Sequence, residues 1–327
     1  MMNPSRNGIV TVLLVSLVLS SCHGVAPVSS GNAAPAQNEA AANVNLRIVT
    51  DDLGRSISVP VKVTRVVSTA PSVTENIFAV GAGDRLVGVT TFCNYPEEAK
   101  SIAKIGDTMT PNMESIVALK PDIVFVSTAS QIENFTRTLD ENGIAVYVTN
   151  PPSLEGVYHN LEQFGIIFNT TKVSTALIDD LRKRERRIGQ TLGTPMQRDE
   201  LPADFHARVG AIKTFVQISK EPLFTIGKGS FLNDIIESAA GLSVTAKVES
   251  AFPKLSKEAA LAMQPDAIIL SDSPDNQEPN EVFKNSPAVK NGRVYKINAD
   301  LISRPGPRLV DALEQIAKYL HSEKFPD

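Results

Sequence analysis

The residue types that most often carry catalysis or bind a bare metal ion are scarce in this chain of 327 residues, which has four histidines and two cysteines. A zinc or manganese site requires several converging His and carboxylate ligands, and no two histidines have the i, i+4 spacing of a helical metal site. The G-x-S-x-G and H-E-x-x-H motifs are absent, and Gly227-Lys228-Gly229-Ser230 lacks the spacing of a phosphate-binding loop. The sequence therefore favours neither an enzyme nor a bare-metal receptor, and we expect no metal site and no cofactor.

The charge balance argues against nucleic acid as a partner. Asp and Glu number 36 and Lys and Arg number 32, so the net charge is −4 and no basic surplus can neutralise a phosphate backbone. An apolar content of 42% is that of a globular protein, and the length exceeds what one ordinary core requires. Trp is absent, which removes any binding platform made of indole rings.

The amino terminus contains a cysteine with its own chemistry. Residues 1–22 form a signal peptide, with Arg6 before an apolar stretch and the ending Leu19-Ser20-Ser21-Cys22. This ending resembles the bacterial lipobox, in which cleavage precedes the cysteine and the thiol is acylated; the alternative is an ordinary signal in which Cys22 is incidental. Residues 23–45 are rich in Ala, Pro, Ser and Asn, which predicts a flexible tether. We expect an extracytoplasmic protein held to a membrane by lipid, in the periplasm or at the cell surface.

The rest of the chain alternates short apolar runs with helical patterns, which predicts α/β structure with mostly parallel sheets. A hairpin is expected around Asp51-Asp52-Leu53-Gly54, and Ser72 with Glu75 has the spacing of a capping box at the start of a helix. Strands are predicted at 66–67, 86–90, 123–127, 145–149, 212–218 and 267–270, and helices at 71–80, 113–119, 131–142, 231–240 and 255–263.

The two halves of the chain repeat one pattern. In residues 113–125 and again in 256–269, a helix with an early Glu ends before Pro-Asp and an apolar strand follows. The repeat predicts two related lobes, at 46–168 and 193–327. Residues 169–192 between them predict one long amphipathic helix about 30 Å in length, with a heavily charged solvent face, and a surface loop at 193–208.

In this order the motifs resemble the helical-backbone class of bacterial substrate-binding proteins, which serve ABC importers for cobalamin, ferric siderophores and haem. The resemblance covers residues 47 to 320, and its landmarks are Asp52-Leu53-Gly54-Arg55, Pro71-Ser72-Val73-Thr74-Glu75, Gly88-Val89-Thr90-Thr91-Phe92-Cys93-Asn94-Tyr95-Pro96, Pro111-Asn112-Met113-Glu114, Pro222-Leu223-Phe224-Thr225-Ile226-Gly227 and Arg304-Pro305-Gly306-Pro307-Arg308. It implies a bilobed monomer with its ligand in the cleft between the lobes, and a joining helix that permits only small closing movements.

The resemblance also implies a role for one carboxylate in each lobe. Glu114 and Glu258 occupy the positions at which this class docks onto arginines of the membrane permease, which works with its ATPase. A carboxylate early in a helix is stabilised by the helix dipole, so a plain helix-start role is the alternative for each residue.

Ligand contacts are expected on the loops at the carboxyl ends of the strands, where open α/β sheets bind ligands. Phe92, Tyr95, Phe224 and Phe252 would cover a flat ligand, Ser72 lies at the same edge, and Lys228 and Arg304 would meet an anionic group. For each aromatic residue the alternative is core packing. Arg304 is expected at the start of the final helix, and its alternative is a helix-start role in which Asp300 holds it. We expect Cys93 to be a buried or half-buried side chain near the cleft, with a role as a soft ligand as the alternative, and His159 to be exposed on its helix.

The stretch from Thr91 to Ala99 most resembles the cobalamin-binding branch, so a metal chelate such as cobalamin or a related corrinoid is the expected ligand. A ferric siderophore or haem is the alternative within the class. An enzyme, or a ligand-sensing accessory protein without a transport role, is the alternative from another class.

Overall fold

The computed structural model describes residues 45–128, 132–194 and 210–325, with only the backbone described at 132–135. The predicted lipidation site Cys22, the signal peptide, the tether up to residue 44 and most of the loop at 193–208 lie outside these residues. Among the described helices, none is both long enough and apolar enough to cross a bilayer.

The first lobe is built on a four-stranded parallel sheet with the order β4-β3-β5-β6. An antiparallel hairpin precedes it, as predicted. The strands are β1 (Leu46–Thr50), β2 (Ser56–Pro60), β3 (Val66–Ser68), β4 (Leu86–Val89), β5 (Ile123–Ser127) and β6 (Ala145–Thr149), and the helices are α1 (Pro71–Ala79), α2 (Met113–Ala118), α3 (Ile132–Glu141) and α4 (Leu154–Ile167).

The hairpin covers the outer edge of β6. The Asp51 carboxylate accepts a hydrogen bond from the Val148 amide at 3.3 Å, and the Arg55 guanidinium donates to the Val146 carbonyl at 3.2 Å. Asp52 donates its amide to the Val148 carbonyl at 3.1 Å, while its carboxylate accepts from the Asn150 amide at 2.5 Å. These residues form the edge clamp, which occupies backbone groups that an edge strand otherwise exposes.

The second lobe repeats the architecture around a five-stranded sheet with the order β11-β10-β7-β8, in which β9 also pairs with β7. Only the β7–β8 pair is antiparallel among these. The strands are β7 (Ile212–Ser219), β8 (Phe224–Thr225), β9 (Gly241–Ser243), β10 (Ala267–Asp272) and β11 (Val294–Asn298), and the helices are α6 (Phe231–Ser238), α7 (Lys257–Met263), α8 (Pro287–Lys290), α9 (Ala299–Ser303) and α10 (Leu309–Leu320).

A helix of 22 residues, α5 (Thr171–Leu192), joins the lobes and ends at Gly193, whose φ of 76° is left-handed. Its charged face is less open to solvent than the sequence predicts. Arg182 forms an ion pair with Glu155 of α4 at 2.6 Å, and Arg184 forms one with Asp311 of α10 at 2.6 Å. The helix is therefore bonded to both lobes by side chains as well as by the chain itself.

One large apolar core runs through both lobes and α5, and includes Phe125, Leu181 and Ile269. Smaller clusters lie on the opposite faces of the two sheets, centred on Val124 in the first lobe and Ile268 in the second. Both parallel sheets are thus covered on both faces, which explains why their strands are apolar runs without alternation.

Two local predictions are wrong. The cap of α1 is Ala70, Ser72 lies inside the first turn, and Glu75 bonds to distant arginines instead of closing a capping box. Arg304 does not begin the final helix, since it is the C-terminal cap of α9 and α10 starts five residues later. Neither pattern in the local sequence carries information about partners that lie more than 200 residues away.

Candidate ligand cleft

In the second lobe, two paired loops bring the predicted contacts together. The Gly227 amide donates to the Ala251 carbonyl at 2.9 Å and the Lys228 amide to the Val248 carbonyl at 2.7 Å. Phe224, Lys228 and Phe252 therefore lie on adjacent segments. Lys228 is exposed and forms an ion pair with Glu249 at 3.1 Å, so this cation is already partly neutralised.

In the first lobe, Phe92 and Tyr95 lie on the loop that follows β4, and the Thr91 amide joins this loop to the Gly106 carbonyl at 2.9 Å. Cys93, which lies between them in the sequence, is buried as expected, with its Sγ 3.1 Å from the Thr74 hydroxyl. Ser72 is buried in α1 and presents little surface to a ligand. His159 is exposed on α4, as expected.

Four large apolar side chains on these loops are half exposed although the chain has cores in which to bury them. The exposed fractions are 58% for Phe92, 47% for Tyr95, 58% for Met109 and 46% for Phe252. Phe92, Tyr95 and Met109 belong to the first lobe and Phe252 to the second. Phe224 is only partly buried.

Met109 lies beside the loop of Phe92 and Tyr95, since Gly106 accepts from the Thr91 amide, but the sequence did not single it out as a ligand contact. It lies on a tight turn in which the Asp107 carboxylate accepts hydrogen bonds from the Met109 amide at 2.7 Å and the Thr110 amide at 2.6 Å. The backbone and hydroxyl hydrogen bonds from Thr110 hold the pKa of Asp107 below its ordinary value. The Asp-x-x-Thr spacing that forms this turn was the signal available in the sequence.

Arg304 is buried and bonded on three sides. Its guanidinium donates to Glu75 at 2.9 Å and to the Asn94 side-chain carbonyl at 2.7 Å, and it forms an ion pair with Asp300 at 2.6 Å. The ion pair that the sequence offered as an alternative is thus present. Because Glu75 and Asn94 belong to the first lobe, Arg304 also joins the two lobes.

Arg308 makes a second connection between the lobes. Its guanidinium is bidentate on Glu75, with distances of 2.8 Å from Nε and 2.6 Å from Nη2, and lies 4.0 Å from the centre of the Tyr95 ring. Burial disfavours the charged guanidinium, but the hydrogen bond and charge of Glu75 outweigh this effect and raise the pKa of Arg308. The sequence singled out neither Glu75 nor Arg308 for this arrangement.

The two predicted docking carboxylates occupy matching places in the lobes. Glu114 is the second residue of α2, which is capped by the Asn112 side chain, and Glu258 is the second residue of α7, which is capped by the Ser256 hydroxyl. Both are exposed. Hydrogen bonds from its own backbone amide and from Ser256 lower the pKa of Glu258, so this side chain is ionised at neutral pH.

Within the described ranges, no three His, Cys, Asp or Glu side chains converge as metal ligands would. The polar groups of the candidate cleft are the Lys228 ammonium paired with Glu249 and two guanidinium groups with their carboxylate and amide partners, and its apolar groups are rings and one thioether. This composition suits a large ligand with a flat apolar face and polar edges.

Known proteins place this architecture in a family. A model of the periplasmic binding protein family matches residues 66–301. The ABC transporter substrate-binding lipoprotein YvrC of Bacillus subtilis is 29% identical over 85% of this chain and 87% of its own. A vitamin B12-binding protein of Vibrio cholerae is 28% identical over 80% of this chain and 90% of its own.

Solved structures agree with this assignment. The crystal structure of the periplasmic vitamin B12 binding protein BtuF of Vibrio cholerae matches with a TM-score of 0.67 and 26% identity, covering 82% of this chain and all of that one. A periplasmic haem-binding protein from Pseudomonas aeruginosa shares the fold, with a TM-score of 0.67 and 22% identity, over 80% of this chain and 93% of its own. The predicted two-lobed α/β fold is confirmed, and the chain belongs to the periplasmic binding protein family.

Proposed function

We propose that this protein is the substrate-binding component of an ABC importer and that it captures a metal chelate, cobalamin or a related corrinoid, outside the cytoplasm. The observation that carries this proposal is the set of half-exposed apolar side chains on the cleft loops of both lobes, namely Phe92, Tyr95, Met109 and Phe252. The similarity to vitamin B12-binding proteins supports the choice of a corrinoid.

The chemistry is capture without a reaction. Rings and the Met109 thioether cover the apolar faces of the ligand, while polar groups around Arg304 bind its edge. Because Arg304 already has three partners, it contributes hydrogen bonds through its network and carries little free charge. Such a site favours a neutral amide-rich rim over a strongly anionic one.

Two further parts of the proposal concern the surroundings of the protein. Glu114 and Glu258 present the loaded lobes to arginines of the permease, and ATP hydrolysis on the partner supplies the energy. Acylated Cys22 holds the chain to the membrane; the similarity to the lipoprotein YvrC supports this part of the proposal.

Replacing Cys22→Ser should release the protein from the membrane fraction and leave its affinity for ligand unchanged.

The test of the ligand is a binding panel on the full-length protein in detergent. Cyanocobalamin should bind at a ratio of 1:1 and raise the melting temperature, with a stabilisation of about 2.7 kcal/mol at 100 times the Kd. Haemin and a ferric catecholate siderophore serve as competitors from the same class. No shift with cyanocobalamin beside a clear shift with either competitor would move the assignment to that ligand.

A further inference from the structure

Glu75 is a buried carboxylate in the first lobe whose partners are two arginines of the second lobe, and its side chain is only 3% exposed. We propose that Glu75 is a positioning residue for the ligand: it fixes Arg308, and Arg308 in turn fixes the ring of Tyr95 as a stacking surface. This inference rests on the proposed function, because it assigns Tyr95 to the ligand-binding surface of the same cleft.

The first step is the contact between Glu75 and Arg308. Nε donates to one carboxylate oxygen at 2.8 Å and Nη2 donates to the other at 2.6 Å. A bidentate pair of this kind restrains the guanidinium plane as well as its position, which an ammonium group could not reproduce. Burial makes the pairing obligatory, since either charge alone would be desolvated without compensation.

The second step is the contact between Arg308 and Tyr95. The guanidinium carbon lies 4.0 Å from the ring centre, well within the range of a cation–π interaction. The ring is covered on this side while 47% of the Tyr95 side chain stays exposed. The ring of Tyr95 is therefore in contact with Arg308 while the residue remains partly exposed, as a stacking surface must be.

Arg304 holds the same loop at a neighbouring residue. It donates to Glu75 at 2.9 Å and to the side-chain carbonyl of Asn94 at 2.7 Å. Arg304 thus contacts Asn94 and Arg308 contacts Tyr95, and both arginines are bonded to the Glu75 carboxylate. The arrangement pre-orders the ring before any ligand arrives, so ligand binding does not have to supply the ordering free energy.

If Glu75 had a purely structural role, loss of these contacts would lower the free energy of unfolding and leave the ligand affinity unchanged. A positioning role makes a different prediction: the effects of Arg308 and Tyr95 on ligand affinity must be coupled. Once the ring is gone, weakening its support should cost no further affinity.

The experiment is a double-mutant cycle on the full-length protein in detergent, with the Kd for cyanocobalamin measured by calorimetry. Arg308→Lys keeps the charge and removes the bidentate plane, and we expect it to weaken binding about tenfold. Tyr95→Leu should weaken binding at least as much, and the double variant should bind no more weakly than Tyr95→Leu. Glu75→Gln should weaken binding at least as much as Arg308→Lys, because it removes the charge that holds both Arg304 and Arg308. Arg184→Lys is the matched control, because Arg184 pairs with Asp311 and Glu314 on α10 rather than with a group of the cleft, and its Kd should be that of the unaltered protein.

Additive effects of Arg308→Lys and Tyr95→Leu, or an unchanged Kd in folded Arg308→Lys, would overturn the inference. Failure of the proposed function looks different: the unaltered protein would bind neither cyanocobalamin nor the competitors. Hydrogen exchange of the ligand-free protein then decides, because Arg308→Lys should speed exchange of the amides at 92–95 while Arg184→Lys should not. Equal exchange rates at these amides in all three proteins would refute the positioning role by themselves.

Discussion

Gly227 is the residue at which the two cleft loops of the second lobe approach most closely. A Cβ added there would lie 2.6 Å from the Val248 carbonyl oxygen and would also collide with the Ser250 carbonyl oxygen. Since both obstacles are backbone atoms, they cannot move without displacing the loop that carries Phe252.

We therefore expect Gly227→Ala to lower the free energy of unfolding by about 1–3 kcal/mol and to weaken ligand binding as well. Gly189→Ala is the control, because Gly189 lies within α5 and its added Cβ would meet the flexible Thr194 side chain at 3.2 Å and the Thr194 carbonyl oxygen at an ordinary contact distance of 3.7 Å. That variant should be neutral, or more stable by up to about 1 kcal/mol. Urea denaturation measures both; equal losses in the two variants would contradict the steric explanation.

His321 is a buried imidazole at the end of α10, where its Nε2 lies 3.3 Å from the Ala240 carbonyl oxygen. Burial lowers the pKa of His321 below its ordinary value, and this effect outweighs the raising influence of Ala240 and Glu323. In the unfolded chain the group titrates near its ordinary value of about 6.5. Below that pH the unfolded state binds more protons, so stability is lost as the pH falls.

The prediction is that the free energy of unfolding of the unaltered protein drops more between pH 7.5 and 5.5 than that of His321→Gln. Glutamine keeps a polar group near Ala240 and cannot titrate. Parallel pH dependences of the two proteins, measured by urea denaturation, would show that folding does not lower the pKa of His321.

The sequence predicts a residue's environment correctly where the residue type determines its burial. The prediction is wrong where a partner distant in sequence determines its contacts. Cys93 is small and apolar and is buried as expected. Ser72 and Glu75 have the spacing of a capping box, yet Glu75 bonds to Arg304 and Arg308, which lie 229 and 233 residues away. No local pattern contains that information.

Among the elements, each lobe has one Pro-Asp turn between a helix and a strand. The aspartate of the first turn accepts more hydrogen bonds than that of the second. The residue before each turn, Lys120 or Gln264, has a positive φ, of 46° and 41° respectively. Asp122 accepts hydrogen bonds from the Thr64 amide at 2.7 Å, the Arg65 amide at 2.9 Å and the Thr64 hydroxyl at 3.0 Å. Asp266 accepts from the amide of Lys213 at 3.3 Å.

Both aspartates join a helix end to the start of a neighbouring strand, and the first does so more firmly. Asp122→Ala should cost about 1–3 kcal/mol of stability, since it removes three hydrogen bonds to a carboxylate, whereas Asp266→Ala should cost about 1 kcal/mol or less. Thermal unfolding followed by circular dichroism measures the loss of stability in each variant. A larger loss in Asp266→Ala than in Asp122→Ala would show that these hydrogen bonds do not determine how much each turn contributes to stability.

Strands β5 and β6 were predictable to the residue because each is an unbroken apolar run between turn residues, as strands covered on both faces must be. The two-residue strand β8 and the short strand β9 were not predicted. Both strands pair with β7 by backbone hydrogen bonds. A short stretch of sequence contains no information about such a partner.

At the scale of the whole molecule, the matched positions of Glu114 and Glu258 carry a prediction about the permease. Replacing both with Ala should weaken binding to the cognate ABC permease about tenfold or more, because exposed charges steer and align the encounter. Affinity for cyanocobalamin should not change, because neither residue lies on the cleft loops. Glu155→Ala is the control, since Glu155 is likewise the second residue of a helix capped by Ser. The measurement is the amount of each variant that copurifies with the permease. Undiminished binding of the double variant would show that both carboxylates only stabilise the starts of their helices.

The edge clamp on β6 governs how copies of this protein meet one another. An open edge strand is a template on which a second chain can add a strand of its own, which leads to aggregation. Here Asp51, Asp52 and Arg55 already hold the Val146 carbonyl, both backbone groups of Val148 and the Asn150 amide. Two molecules can therefore collide along this flank of the first lobe without pairing their strands into a shared sheet.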